Sequence, residues 1–274
     1  MNAENLISAA FTKQYGEKAK TLFPDTSLIT DEAAKRQIES IKILSTANLD
    51  EQKQNQYNDL TAGMEATYST ATAQMPDGRL LPLDPDLTAL MATSRDYNEL
   101  KWAWKGWYEA AGRPSRESYE QFVALSNEAS AADGFADTGE YWRSWYEMDG
   151  KLEETVDALW VELEPLYGQL HAYVRRKLYE NYGPNFINLK APIPAHLLGN
   201  MWAQQWGNIF SLVEPYQGKA GVDATPAMLE QNYDAMKMFK TSEEFFTSLG
   251  LDPMTNDFWA KTMFVKPPDR DVVC

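Results

Sequence analysis

The sequence is poor in the residues that build metal centres and disulfide bonds. Its 274 residues include one cysteine, Cys274, and two histidines, His171 and His196. A single cysteine cannot form a disulfide within the chain. The histidines are 25 residues apart, and the zinc pattern H-E-x-x-H is absent. We therefore expect no metal site made by this chain alone, and we interpret both histidines as core residues bonded to backbone carbonyls.

Positive charge and long apolar runs are also scarce. Lys and Arg total 25 against 40 Asp and Glu, which gives a formal net charge of −15. This excess repels phosphate backbones and anionic membrane surfaces. No apolar run approaches the length of about 18 residues that a membrane helix needs, and the N-terminus lacks the pattern of an export signal. We expect no nucleic-acid partner and no membrane segment in this chain.

What the sequence does contain is helical periodicity. In residues 152–178 apolar side chains recur at spacings of three and four, and Gly183 follows as a helix stop. Strand signals are limited to "GRLLPL", whose proline argues against a central strand. We predict an all-α protein of eight to eleven helices. Weaker apolar stripes occupy residues 4–22, 31–46, 51–70, 87–111, 115–132, 225–249 and 255–263.

Aromatic residues are concentrated in two segments. In "KWAWKGWYEAAG", Trp102, Trp104, Trp107 and Tyr108 are too many for one helix face, so some must point away from the nearest core. A thick helical interior is the favoured interpretation, and a platform for sugars or peptides is the alternative. The second segment, "APIPAHLLGNMWAQQW", places two glutamines between two tryptophans.

Longer segments resemble a known family. They are "DPDLTALMATSRDYNELKWAWKGWYEAAGR", "LEPLYGQLHAYVRRKLYENYG", "INLKAPIPAHLLGNMWAQQWGNIFSLVEPY" and "MLEQNYDAMKMFKTSEEFFTSLGL". Together they closely resemble the angiotensin-converting enzyme family of zinc peptidyl-dipeptidases. The resemblance implies a large helical metallopeptidase with a substrate cleft. Residues 1–274 would be a single incomplete catalytic domain, truncated before the zinc-binding helix.

The resemblance also implies the chemistry of the whole enzyme. Its substrates would be oligopeptides, from which C-terminal dipeptides are removed. Its zinc ligands would lie beyond the end of this chain, so we expect the isolated chain to be inactive. Chloride would be a further bound ion, and the full-length form would be secreted or membrane-attached.

Three residues match functional positions of the family. Gln204 matches a position that helps to hold the C-terminal carboxylate of the substrate, and its alternative is a structural glutamine bonded to a buried carbonyl. Asp84, in "LDPDL", matches a position that shapes the pocket for the penultimate side chain. Tyr146, in "WRSWYE", matches a chloride-contacting tyrosine. Tyr108 stands where the family usually has a chloride-binding arginine, which puts that chloride site in doubt.

Functions of different classes remain open. The first is the peptidyl-dipeptidase segment just described, with no catalytic or metal-binding residue of its own. The second is a non-catalytic helical homologue that binds peptides or proteins through aromatic surfaces. A carbohydrate-binding module has the least support. In the truncated form helix faces would lack their cover, so we also expect self-association through exposed apolar surface.

Overall fold

The computed structural model describes residues 2–216, 218–219 and 223–269. Cys274 lies outside these residues. The chain divides into two compact units, Met1–Val213 and Glu214–Cys274, and each is described by itself. The prediction of an all-α protein is confirmed, because the described residues form twelve α-helices and one two-stranded hairpin.

The helices follow the predicted stripes, with two differences. The predicted stripes at 87–111 and 225–249 are each divided into two helices. In addition, α7 and α9 are short helices that no stripe predicted. The described part of the chain therefore has twelve α-helices, one more than the upper limit of the prediction. The first unit contains α1 (Asn2–Leu22), α2 (Glu32–Lys42), α3 (Glu51–Thr70), α4 (Thr88–Thr93), α5 (Tyr97–Trp107), α6 (Arg113–Ala132), α7 (Thr138–Ser144), α8 (Leu152–Tyr182) and α9 (Phe210–Val213). The second contains α10 (Thr225–Glu230), α11 (Ala235–Ser248) and α12 (Asn256–Lys261).

Aspartates begin many of these helices. At each such N-cap the carboxylate accepts a backbone N–H group of the first turn, which has no partner within the helix. The negative charge also interacts favourably with the positive end of the helix dipole. Part of the acidic excess is therefore used at helix ends. The capping residues of α2, α3, α5, α7 and α11 are Asp31, Asp50, Asp96, Asp137 and Asp234.

The core of the first unit forms where α5 crosses a hairpin. Strands β1 (Thr72–Gln74) and β2 (Leu80–Pro82) pair antiparallel, with Ala73 opposite Leu81. Ala73 is fully buried, and a Cβ added at Gly106 of α5 would lie 3.1 Å from the Ala73 Cβ. The glycine thus allows the helix to approach the strand closely. The core buries Leu87, Met91, Leu100, Ala103, Trp107, Val174, Leu178, Ile187, Leu197, Met201 and Ile209 around this contact.

A buried carboxylate fixes the turn after α2. The Asp133 side chain is 2% exposed and accepts the N–H groups of Leu44 and Ser45 at 3.0 and 2.6 Å. Lys20 supplies the counter-charge at 3.4 Å. Ser45 has a φ of 51°, a conformation that a non-glycine residue rarely adopts without such support. Asp133 therefore determines how the chain leaves α2.

Helix α8 is long and only partly buried. It runs unbroken over 31 residues and ends at Gly183, whose φ is 87°. Of the predicted stripe only Val174 and Leu178, near its end, are buried. No described helix is both long enough and apolar enough to cross a bilayer. Leu152, at the start of the stripe, is partly buried. The five residues between are 49% to 70% exposed and are called here the α8 apolar face: Val156, Leu159, Leu163, Leu166 and Leu170.

The second unit is held by aromatic contacts and one carboxylate. Glu243 of α11 accepts the backbone N–H of Met254 at 2.7 Å and the indole N–H of Trp259 at 3.3 Å. The Phe239 and Phe264 rings meet edge to face at 5.0 Å. These contacts tie α11 to α12 and to the segment that follows it.

Candidate functional site

Residues 199–206 form an irregular loop, called here the glutamine loop, whose shape is held by hydrogen bonds within it. The Asn200 carboxamide oxygen accepts the backbone N–H groups of Trp202 and Gln204 at 3.1 and 3.2 Å. Ala203 lies in the left-handed region with a φ of 53°. Asparagine side chains stabilise such turns by bonding to the backbone a few residues on. The backbone at Gln204 is therefore fixed by local hydrogen bonds.

The two tryptophans of this loop anchor it on different helices. The Trp202 ring meets Trp107 of α5 edge to face, with centroids 5.9 Å apart. The Trp206 indole donates to the Ala203 carbonyl at 2.9 Å, and its ring lies 6.3 Å from that of Tyr167 on α8. Aromatic contacts of this kind add stabilisation beyond their buried area.

The glutamines between these anchors face solvent. Gln204 and Gln205 are both exposed. Within the described part of the chain, neither side chain forms a hydrogen bond, so the interpretation of Gln204 as a structural amide on a buried carbonyl finds no partner to support it. A fixed backbone with a free carboxamide is an arrangement that suits ligand recognition.

Tyr108 connects the tryptophan-rich helix to the loop. Its hydroxyl donates to the Met201 carbonyl at 3.3 Å, and its ring lies 4.7 Å from Trp104. Burial raises the pKa of Tyr108, with a smaller effect from Tyr68, so the phenol remains a neutral donor. Trp107 is buried while Trp102 is 49% exposed, which confirms that the cluster cannot all face one core.

An arginine joins the end of α4 to Asn208, just after this loop. The Arg95 guanidinium donates to the carbonyls of Ala92 and Ser94 at 3.0 and 2.8 Å, and to that of Asn208 at 2.8 Å. The Asn208 carboxamide in turn donates to the Gly199 carbonyl at 2.8 Å. Sequence reasoning missed Arg95 and Asn208, because nothing in the local pattern indicates a contact between such distant segments.

The turn that carries Asp84 packs on the same core as the loop that carries Gln204. Asp84 is exposed in the turn between β2 and α4, flanked by Leu83, which packs on the core, and by the fully buried Leu87. Met201, in the glutamine loop, belongs to that core as well. The turns that carry Asp84 and Gln204 therefore pack on one set of apolar side chains.

Tyr146 occupies a different region of the first unit. It follows α7, is 65% exposed, and its N–H bonds to the Arg143 carbonyl at 3.2 Å. The next residue, Glu147, forms an ion pair with Arg36 at 2.7 Å. Among the described residues, Tyr146 is not part of the core beneath Gln204.

Each histidine differs from the expected core histidine in one property, His171 in burial and His196 in hydrogen bonding. His171 is only half-buried, with ring centroids 6.2 Å from Tyr167 and 6.3 Å from Trp206. His196 is 7% exposed, as expected, but its Nε2 has no hydrogen-bond partner in the described protein. The predicted carbonyl bond is therefore wrong for that nitrogen. Burial, and to a lesser extent Lys101, lowers the pKa of His196 to about 4.

The described residues contain no cluster suited to a metal ion. Within residues 2–216, 218–219 and 223–269, no three His, Cys, Asp or Glu side chains come together in a way that could hold one. The side chains gathered around residues 199–206 are amides and aromatics, which suit hydrogen bonding to an organic ligand.

These features define a helical protein with an exposed amide segment on an aromatic core, and comparison with known proteins gives its class. The peptidase M2 family model, described as angiotensin-converting enzyme, matches residues 1–274. The chain belongs to the angiotensin-converting enzyme family. The resemblance seen in the sequence is thereby confirmed.

Individual relatives support the same assignment. Angiotensin-converting enzyme of Bos taurus is 49% identical over 274 residues, which cover 98% of this chain and 21% of the relative. The angiotensin-converting enzyme-like protein Ace3 of Mus musculus is 46% identical over 279 residues, covering 100% of this chain and 37% of that protein. Angiotensin-converting enzyme of Theromyzon tessulatum is 43% identical, with coverage of 97% and 44%. The chain spans less than half the length of each of these relatives.

Proposed function

We propose that this chain forms a substrate-binding part of a zinc peptidyl-dipeptidase, an enzyme that removes dipeptides from the C-terminus of oligopeptides. The observation that carries the proposal is the exposed Gln204 carboxamide on a backbone held by Asn200. Family membership supports the reaction class, the sequence resemblance suggests Gln204, and the loop geometry is consistent with a binding role for it.

The chemistry of Gln204 suits the end of a peptide. Its carboxamide N–H groups can donate to the terminal carboxylate, and a hydrogen bond to an ion is stronger than one between neutral groups. Holding that carboxylate at a fixed point also determines which peptide bond reaches the reacting groups, because the distance from the chain end is then set. Release of a dipeptide follows from the position of this anchor.

Asp84 has a secondary role in the proposal. We assign its exposed carboxylate, on the family resemblance, to the pocket for the penultimate side chain, and the neighbouring Leu83 packs on the core that also contains Met201. Tyr146 is proposed as a chloride contact on the family resemblance alone. Tyr108, where the family usually has an arginine, donates to the Met201 carbonyl in the loop.

The described residues do not fit a zinc ion. They offer no set of three nitrogen, sulfur or carboxylate ligands, so no step of hydrolysis is assigned to side chains of this chain. In the proposed enzyme the zinc ligands lie in sequence beyond residues 1–274. Location outside the cell or on its surface is proposed for that enzyme as a whole.

The test compares acid and amide substrates in a catalytically complete enzyme that contains this segment. Gln204→Ala removes one charge-assisted hydrogen bond worth roughly 1.5–3 kcal/mol, which corresponds to about a tenfold to hundredfold loss in kcat/KM for peptides with a free C-terminus. The same peptides with an amidated C-terminus should be cleaved poorly and about equally by parent and mutant.

A neighbouring amide provides the matched control. Gln205→Ala removes another exposed carboxamide one residue away and should leave the acid-to-amide ratio unchanged. Equal losses on both substrates for Gln204→Ala would contradict the carboxylate role.

A non-catalytic binding homologue is the second candidate. It is favoured by one observation, the exposure of large aromatic side chains in the first unit, where Trp102, Trp142 and Trp145 are 49%, 52% and 62% exposed. Such side chains are typical of binding surfaces. This candidate predicts peptide binding that does not depend on a free C-terminal carboxylate, so the acid and amide pair separates it from the enzyme.

A further inference from the structure

A cavity lies in the first unit, away from the glutamine loop. It has a volume of about 440 Å3 and is bounded by α1, the turn after α2, and α3, with Tyr141 of α7 at its edge. Every residue that lines it is uncharged, although the chain carries a net charge of −15. None of them belongs to the loop that carries Gln204 or to the turn that carries Asp84.

Two buried amides in this cavity are incompletely bonded. Gln54 and Asn58 of α3 are each 5% exposed. The Asn58 carboxamide oxygen accepts from Gln54 Nε2 at 3.3 Å and from Asn5 Nδ2 at 3.4 Å. Gln54 Oε1 and Asn58 Nδ2 have no partner in the described protein. Buried polar atoms of this kind are rare in folded proteins, because leaving them unpaired is costly.

The two unpaired atoms form a complementary pair. Gln54 and Asn58 are four residues apart on one helix, which places them on the same face in adjacent turns. One atom is an acceptor and the other a donor. A carboxamide satisfies both, because its carbonyl can accept from Asn58 Nδ2 while its N–H donates to Gln54 Oε1.

Charged ligands fit these groups less well. A carboxylate has no proton to donate to Gln54, and an ammonium group has no acceptor for Asn58. The uncharged residues that line the cavity also provide no counter-ion for either group. Burial raises the pKa of Tyr57, which also lines the cavity, so that its phenol stays neutral. The volume falls in the usual range for small-molecule sites, about 300–1,000 Å3.

We propose that this cavity is a binding site for neutral ligands that carry a primary carboxamide. The carboxamide comes either from a small free amide or from the side chain of glutamine or asparagine in a peptide. Both sources present the same chemistry to Gln54 and Asn58.

The test follows the side-chain NH2 signals of Gln54 and Asn58 by NMR in the 15N-labelled 274-residue chain. Propionamide should shift both signals in a saturable manner with a millimolar Kd, as expected for so small a ligand. Propionate has nearly the same shape and should bind at least tenfold more weakly. A blocked Ala-Gln-Ala peptide, compared with blocked Ala-Glu-Ala, separates the two sources: binding of the glutamine peptide indicates a side chain, and binding of propionamide alone indicates a free amide.

Three variants locate the effect on α3. Asn58→Leu and Gln54→Met keep the approximate side-chain volume but remove the polar atoms, and should weaken propionamide binding at least tenfold. Gln56→Met is the control, since Gln56 is exposed on the same helix and bonds to Gln121 outside the cavity. Its affinity should equal that of the parent.

Several results would overturn the proposal. They are the absence of a saturable shift with propionamide and with the glutamine peptide, equal binding of propionate, or unchanged affinity in Asn58→Leu. Circular dichroism shows whether each variant folds. If the variants do not fold, the comparison of propionamide with propionate on the parent chain decides the question.

Discussion

Acid should destabilise the first unit through His196. Its ring is buried against Tyr97, with centroids 4.6 Å apart, and its Nε2 is unpaired in the described protein. The pKa is lowered to about 4 by burial and by Lys101. In the unfolded chain a histidine has a pKa of about 6.5. Below that pH the unfolded state binds a proton that the native state does not, so stability is fully present above pH 6.5 and falls as the pH drops toward 4.

The pKa difference sets the size of the effect. A shift from 6.5 to about 4 corresponds to roughly 3 kcal/mol over the whole range. Most of it falls in the upper part, and linkage gives a loss of about 2 kcal/mol between pH 7 and pH 5. Most carboxylates remain ionised in that interval, so the histidine contribution can be separated from general acid denaturation.

Urea unfolding of three proteins measures this contribution. Between pH 7 and pH 5 the parent should lose about 2 kcal/mol more than His196→Leu, which has no titrating group at that position. His171→Gln changes the other histidine, which is half-buried on α8, and should behave like the parent. An NMR signal of His196 that titrates near pH 6.5 in the folded chain, or an equal pH dependence in His196→Leu, would refute the reasoning.

Three further outcomes are expected. Asp133→Asn should lower the free energy of unfolding by about 2–4 kcal/mol, as measured by chemical denaturation. The substitution weakens two backbone hydrogen bonds and leaves Lys20 without its partner. The chain should self-associate with rising concentration, and Leu163→Asn with Leu166→Asn on the α8 apolar face should reduce association in analytical ultracentrifugation. The isolated chain should retain no stoichiometric zinc after dialysis and should not hydrolyse peptides; metal analysis with a peptidase assay checks both.

The fold was largely predictable because its signals are local. The stripe at 51–70 became α3, Glu51–Thr70, with Asp50 as its cap. The division of the predicted helix 87–111 was missed although Asp96 caps α5, since apolar periodicity continues across the break. Periodicity reports which face is apolar, whereas the caps report where the helix begins.

The candidate site was predictable only in part. Gln204 and Asp84 came from the order of residues shared with a family, and their roles stay predictions. Asn200, next to a glycine, carried a local turn signal that could have been used. The bond from Tyr108 to the Met201 carbonyl had none, because it joins segments far apart in sequence. Gln54 and Asn58 resembled an ordinary polar helix face, and only the fold shows that they are buried.

Helix α8 shows most clearly where periodicity and burial separate. Besides the apolar face, Trp160 and Val161 are 47% and 66% exposed, so this part of the helix is apolar around much of its circumference. Such a helix is typical of a protein interior. The five side chains of the face are 49–70% exposed, so covering them stabilises by about 1–2 kcal/mol each, or roughly 5–10 kcal/mol in sum, which is comparable to the free energy that association costs. The relatives of which this chain covers 21% to 44% have additional polypeptide that can cover such a helix within one molecule. We predict that in this chain the same free energy favours pairing between copies, so that the α8 apolar face, more than the net charge of −15, decides its state of association.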